Sequence, residues 1–279
     1  MKLTAFAITL LTAVLITGCS PSNKPADQAR SDKVPAPIPA AVVDISPQEL
    51  KFVQTLLFDD IVSSAQGIDA VIDKDMALQI LGISQSVDAK TLAQDYADNE
   101  VAADQKYKIK GSYIMVSGVV DSISKDFKGD PYVSLRGHQM LQGVQARFPD
   151  GDLSALAALK KGQKILFVCT MSSYVIGNVM LRNCATLESY AKNSRAPLDQ
   201  YVADVFAGKK KTTTKEAAQT MALLAILSQR LPANSACFTI SDPANDSNCE
   251  KQFDDTAKSM ANDQTAKDAM EEIVKKISL

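Results

Sequence analysis

The residues best suited to chemistry are five cysteines, at positions 19, 169, 184, 237 and 249, and a single histidine, His138. A cysteine can be acylated, oxidised to a disulfide, bind a metal or act as a nucleophile. A metal site would favour histidine ligands or a Cys-x-x-Cys spacing, which the sequence lacks. His138 falls in a predicted loop, and no glycine-rich phosphate-binding loop is present. We therefore predict no metal, no cofactor and no catalytic residue.

The N-terminus indicates which chemistry applies to the first cysteine. Lys2 precedes an apolar run, Leu3 to Ile16, that is short for a membrane span and is typical of an export signal. The run ends in Leu15-Ile16-Thr17-Gly18-Cys19, which resembles the lipobox of bacterial lipoproteins. That resemblance implies a signal peptide over residues 1–18 and lipid on Cys19. An ordinary secretory signal, with Cys19 unmodified, is the alternative.

The same resemblance implies a location. Residue 20 is serine and not the aspartate that usually retains lipoproteins in the inner membrane. We therefore expect a palmitate-bearing protein anchored in the outer membrane and facing the periplasm. Residues 19–43 contain five prolines and almost no large apolar side chains, which predicts an extended tether.

An exported protein with four further cysteines is expected to form disulfides. Three pairings exist, and we favour Cys169 with Cys184 and Cys237 with Cys249. Residues 240–248 are mostly turn formers, so the second bond would close a surface loop. Oxidised cysteines would also be unavailable as nucleophiles.

Charge is unevenly distributed. Residues 106–187 contain eleven Lys and Arg against five Asp, whereas the rest of the chain is net acidic. A basic segment within an acidic chain indicates a separate module, one that suits an anionic partner.

Helices are predicted on both sides of this segment. In residues 44–98, Ser46-Pro47-Gln48-Glu49 is a capping box for a first helix. A second is predicted within 70–81 and a third after Asp88. In residues 189–279 we predict a helix that begins at Pro197 and ends at Gly208, followed by amphipathic helices.

The basic segment itself alternates in the manner of strands, which are predicted at 112–123, 132–135, 143–148, 165–170 and 178–187. A short helix is expected at 153–160, and Gly118 predicts a bulge or a sharp bend in the first strand. Three strands, a helix and two strands are the order of an OB-fold, a small Greek-key barrel.

Four motifs carry a family resemblance: residues 99–107 (NEVAADQKY), 116–123 (VSGVVDSI), 159–164 (LKKGQK) and 180–184 (MLRNC). They resemble the tRNA-anticodon-binding-like OB-fold family of bacterial exported proteins. The resemblance implies an OB-fold over residues 99–188 but no agreed activity. The predicted fold class is α+β, a central five-stranded OB-fold barrel flanked by N-terminal and C-terminal helical segments.

This fold gives a test of the first disulfide. In a hairpin centred between Ile176 and Gly177, Cys169 falls opposite Cys184 if neither strand has a bulge. Opposed residues of an antiparallel pair lie within reach of a disulfide.

The fold also nominates a binding surface. OB-fold ligands usually contact the second and third strands and the loops that join strands one to two and four to five. Stacking on a single-stranded polymer requires exposed aromatic residues beside basic ones. A solvated basic face without a ligand is the alternative. The candidate contacts are Lys125, Phe127, Lys128, Tyr132, Arg136, Arg147 and Tyr174.

The predicted function is that of a lipid-anchored, non-enzymatic binding or scaffolding module of the cell envelope. An envelope protein is the first candidate partner. The alternative is an anionic oligomer, either a glycan or a single-stranded nucleic acid, on the basic face. Cytoplasmic nucleic acid would be out of reach of an exported protein.

Overall fold

The computed structural model describes most of the chain from residue 43 onward. The predicted signal peptide, Cys19, almost all of the tether, Phe127 and the start of the helix predicted at 153–160 lie outside the described residues. The described ranges are 43–68, 70–126, 128–138, 142–149, 156–212, 214–239 and 246–278.

Within these ranges the fold is α+β. The helices are α1 Pro47–Ala65, α2 Lys74–Ile80, α3 Ala89–Asp98, α4 Glu100–Tyr107, α5 Leu187–Phe206, α6 Lys215–Arg230, α7 Ser247–Ala261 and α8 Gln264–Ile277. The strands are β1 Ile83–Asp88, β2 Tyr113–Lys125, β3 Pro131–Arg136, β4 Gly143–Arg147, β5 Lys164–Val175 and β6 Asn178–Thr186.

Contacts divide the chain into two compact units. We call residues 61–68 and 73–196 the ring unit, and the remainder the helical unit. Helices α1 and α5 each contribute residues to both units, because the divisions fall after Asp60 and before Pro197. The N-terminal and C-terminal helical segments therefore supply residues to one and the same unit. The separate domain boundaries expected at residues 99 and 188 stay predictions.

Five strands of the ring unit close on themselves in the order β2-β3-β4-β6-β5-β2. Strand β2 makes closure possible because it changes partner along its length: residues 114–119 pair with β5, and residues 120–125 pair with β3. The pairing with β5 is regular through Gly118, and the bulge in β2 lies instead at Asp121, where the register with β3 shifts. Strands β4 and β6 are parallel, and the other neighbouring pairs in the ring are antiparallel.

The sheet has a sixth strand that the sequence did not predict. Strand β1 pairs in parallel with the first half of β2. Its only fully buried residue is Ile83, so it lacks the alternation of apolar residues that marks the other strands.

The interior of the ring is apolar and is shared with two helices. Val120, Val133, Val144 and Leu181 are each at most 1% exposed. Residues of α3 and α4, including Tyr96, pack into this same core. Helix α3 begins as predicted, because the carboxylate of Asp88 accepts the N–H groups of Lys90 and Thr91. The N-terminal segment thus contributes directly to the ring.

Both predicted disulfides are present, Cys169–Cys184 and Cys237–Cys249. The hairpin turn also lies where expected, with Val175 opposite Asn178. The assumption of an unbulged hairpin was wrong, however. One extra residue in β5, Ser172, and one in β6, beside Asn183, shift the register in opposite senses. The two shifts cancel, so the predicted pairing is correct.

The helical unit is built around α6, whose residues Ala218 to Ser228 are all buried. The capping box at Ser46 is confirmed, since Glu49 and Ser46 exchange hydrogen bonds of 2.7 and 3.3 Å. The helix start predicted at Pro197 was wrong: α5 begins at Leu187 and contains Pro197 in its interior. Packing has overridden the local preference of proline for a first helical turn. No described helix is both long and apolar enough to cross a membrane.

Candidate functional site

The outer face of strands β3, β4 and β6 is the surface that the fold leaves for binding. Side chains alternate along each strand, so the neighbours of the buried Val133, Val144 and Leu181 point away from the core. Two aligned rows result. The first contains Ser124, Tyr132 and Arg147, and the second contains Ser122, Ser134, Gln145 and Met180. We call these rows the outer face.

Tyr132 is half-buried and lies directly opposite Arg147 on the neighbouring strand. Arg147 is itself held in place, since its Nη1 lies 3.2 Å from Oδ2 of Asp126. The other carboxylate oxygen of Asp126 accepts the N–H groups of Lys128 at 2.8 Å and Asp130 at 3.1 Å, which closes the β2–β3 turn. Tyr132 is thus positioned beside a fixed guanidinium.

The charge state of this turn follows from the same contacts. Burial of the Asp126 carboxylate would by itself raise its pKa. The two backbone hydrogen bonds and the charge of Arg147 outweigh burial, and the pKa of Asp126 is lowered. The Asp126 carboxylate therefore stays ionised at neutral pH, and its contact with Arg147 means that Arg147 contributes shape to the outer face more than free positive charge.

The other predicted contacts divide into two groups. Lys125 and Lys128 are exposed at the β2–β3 turn, and Arg136 is exposed at the end of β3. Tyr174 has a different place, because its ring lies 5.5 Å from that of Tyr96 and packs against the core. The structure thus places Lys125 and Lys128 at the β2–β3 turn, Arg136 at the opposite end of β3 from Tyr132, and Tyr174 in a packing role.

Arg182 is an exposed cation that the predicted set did not include. It lies on β6 opposite Thr170, whose hydroxyl donates to the Arg182 carbonyl at 3.1 Å. It precedes the bulge at Asn183, where φ is +50°. Val179 and Leu181 are buried, so alternation along β6 predicts from the sequence that Arg182 points outward.

A cavity of about 780 Å³ opens elsewhere on the ring unit. Its walls are residues 117–119 of β2, residues 164–166 of β5 and the first residues of α3 and α5. Arg136 and Lys90 also line it. Because β1, Lys90 and Lys164 formed no recognisable motif, the sequence did not indicate this cavity.

These elements can be compared with known proteins. The family model for tRNA_anti-like proteins matches residues 4–185, well over half of the chain. The chain belongs to the tRNA_anti-like family. This confirms the resemblance inferred from the four motifs. The match includes every strand of the sheet except the last residue of β6.

The solved structures include a similar chain, the "putative nucleic acid-binding lipoprotein" of Klebsiella pneumoniae subsp. pneumoniae MGH 78578. It is 19% identical, with a TM-score of 0.30, and the alignment covers 36% of this chain and 91% of that one. No curated protein sequence matches the tRNA_anti-like chain described here.

His138, the one histidine of this tRNA_anti-like protein, belongs to the ring unit. His138 is exposed just after β3. Across the described ranges, no group of three or more His, Cys, Asp or Glu residues is placed to hold a metal ion. What the ring unit offers instead is a polar, cationic face and an open cavity.

Proposed function

We propose that this protein is a non-enzymatic binding module of OB-fold type, and that its outer face binds an anionic oligomer. The order of the ring supports the fold assignment. In the five-stranded OB barrel, the long first strand pairs with both the second and the fourth strand, and the third pairs with the fifth. Here β2 has the place of the first strand, and β3, β4, β5 and β6 follow it as the second to the fifth. Oligonucleotides and oligosaccharides are the usual ligands of such barrels.

The observation that carries this proposal is the composition of the outer face. Its aromatic residue, Tyr132, is half-buried beside Arg147, with polar side chains along the next row. Lys125 and Arg182 add exposed charge, and neither has a carboxylate within ion-pair distance among the described residues. An aromatic platform flanked by cations suits a polyanion with flat or apolar ring faces.

Titration tests this proposal. Fluorescein-labelled oligo(dT) and a sulfated glycan such as a heparin oligosaccharide are titrated into the full-length protein at two salt concentrations. For oligo(dT), the Arg182→Gln variant should reduce the magnitude of the slope of log K against log salt concentration by about 0.7. Tyr132→Ala should weaken binding by roughly 1–3 kcal/mol. Lys110→Gln, an exposed cation off the outer face, is the matched control.

The two polymers separate ligand classes. Binding of the glycan alone would identify a carbohydrate ligand, and binding of both would identify a general polyanion site. If neither binds, or if binding is insensitive to salt and to both variants, the outer face is a solvated surface. Crosslinking in intact envelopes would then test the other candidate partner, an envelope protein.

We further propose that Cys19 is lipidated and that the module is anchored in the outer membrane, facing the periplasm. Support comes from the leader and its resemblance to the lipobox. Two confirmed disulfides are also in keeping with an oxidising compartment. Metabolic labelling with a palmitate analogue should mark the wild type and not Cys19→Ala. Equal labelling of the two proteins would contradict this anchoring.

A further inference from the structure

The cavity of the ring unit combines an apolar floor with cations at its edge. Ala89 and Leu187 are 1% and 3% exposed, and Val119, Ile165 and Leu166 continue the aliphatic lining. Its volume of about 780 Å³ is within the range of pockets that hold small organic molecules. The floor therefore suits the hydrocarbon part of a ligand.

The two carboxylates that line the cavity, Asp88 and Glu188, already accept hydrogen bonds from residues of α3 and α5. Asp88 uses its carboxylate to cap α3, accepting the N–H groups of Lys90 at 3.1 Å and Thr91 at 3.0 Å. Glu188 accepts a hydrogen bond of 2.7 Å from Lys192, one turn along α5. Neither carboxylate makes an ion pair with a cation of the lining, and the lining as a whole has three cations against two carboxylates.

The three cations that line the cavity make no ion pair with a described residue. Lys90, Arg136 and Lys164 are all exposed lining residues. Within the described ranges, no carboxylate lies within ion-pair distance of any of the three. Three cations above an aliphatic floor are complementary to a molecule with an anionic head and an apolar body.

Gly118 of β2 lies where α3 approaches the strand closely, at one side of the cavity. A methyl group on this residue would lie 3.0 Å from Cβ of Ala89 and 3.1 Å from Cδ1 of Leu135. A side chain at position 118 would therefore require Ala89 of α3 or Leu135 of β3 to move by a few tenths of an ångström.

We propose that this cavity binds a small amphiphilic anion, with its head at Lys90, Arg136 and Lys164 and its hydrocarbon part on the floor between β2, β5 and α5. This goes beyond the proposed polyanion function, because the site is formed by different residues and requires an apolar ligand body. A fatty acid and the anionic headgroup region of a phospholipid share the required chemistry.

Decanoate and butanoate are the probes, titrated into the full-length protein by calorimetry. The two acids carry the same charge and differ by six methylenes, each worth roughly a fourfold gain in affinity when fully buried. We expect decanoate to bind at least about tenfold more tightly than butanoate. Equal affinity for the two acids would overturn the proposal, since it would mean that only charge is recognised.

Charge is tested separately. The double variant Lys90→Gln/Lys164→Gln should weaken decanoate binding about tenfold or more, because two charge-assisted contacts are lost. Both residues are exposed, so the variant should fold normally. Lys74→Gln/Lys110→Gln, which removes two exposed cations that neither line the cavity nor belong to the outer face, is the control. Equal losses in the two double variants, or no saturable decanoate binding by the wild type, would refute the site.

Competition distinguishes the two sources of ligand. Displacement of decanoate by phosphatidylglycerol vesicles, but not by phosphatidylcholine vesicles, would identify a membrane lipid. Failure of both vesicles to displace a bound decanoate would identify a soluble acid. Because Lys90 and Lys164 are not on the outer face, failure here leaves the oligomer titrations interpretable on their own.

Discussion

The β5–β6 hairpin has an unusual residue at its tip. Ile176 and Gly177 have φ values of +47° and +77°, which is the pattern of a two-residue type I′ turn. A β-branched residue at positive φ is a genuine outlier. The side chain of Ile176 is 92% exposed, so packing provides no compensation for this strain.

Replacing Ile176→Asn should therefore stabilise the protein. Asn-Gly is a favoured type I′ sequence, whereas the left-handed conformation costs an ordinary L-residue roughly 1–2 kcal/mol. The hydrogen bond from Nδ2 of Asn178 to the Ile176 carbonyl is made to the backbone and would be retained. We expect a gain of about 1 kcal/mol, or about 3 °C in Tm for a unit of this size.

Differential scanning calorimetry measures this gain. The matched control is Ile109→Asn, which replaces another exposed isoleucine whose φ is negative. That change should alter stability by no more than about 0.5 kcal/mol. If Ile176→Asn leaves Tm unchanged or lowers it while Ile109→Asn is neutral, the turn does not strain residue 176 and this reasoning fails.

Three further predictions concern stability. Removing either disulfide by a double Cys→Ala change should cost about 3 kcal/mol, given sequence separations of 15 and 12 residues, and denaturation with and without reductant measures it. Asp60 is buried in the helical unit; burial raises its pKa despite two backbone hydrogen bonds. The stability of the wild type relative to Asp60→Asn should thus be greatest below pH ~4 and decline as pH rises through the elevated pKa, as urea titrations would reveal. Tyr107 donates a 2.6 Å hydrogen bond to Asp95 and, with Lys106, lowers its pKa. Tyr107→Phe should raise this pKa and shift acid unfolding, followed by circular dichroism, to higher pH.

Strong local signals made much of the fold predictable. Strands β3 and β4 alternate between buried and more exposed residues, and the capping residues Ser46 and Asp88 fix helix starts at 47 and 89. Each of these signals is contained within a few residues of the chain. Capping and turn chemistry operate at that range, so one sequence is enough to identify them.

Other features depend on contacts that no local pattern records. Strand β1 is defined by its parallel pairing with β2, 30 residues away, and its own sequence is mostly polar. Helix α5 extends from Leu187 through Pro197 to Phe206, although proline locally favours the start of a helix. The cavity lining includes Asp88 at the end of β1 and Leu187 at the start of α5, so it too involves elements whose bounds the sequence patterns did not predict.

The binding surface shows why correct strands do not suffice to assign faces. Simple alternation along β5 would put Tyr174 on the side opposite Cys169 and Met171, facing out. The bulge at Ser172 reverses the alternation and turns Tyr174 inward, where it meets Tyr96.

A second reversal operates in β6. The bulge at Asn183 turns Cys184 inward, toward Cys169, while Arg182 just before it stays exposed. The pair of bulges thus preserves the disulfide, and the bulge in β5 removes an aromatic side chain from the outer face. Arg182 keeps the outward position that alternation along β6 gives it. Register, more than secondary structure, therefore decides which side chains this ring presents on its outer face.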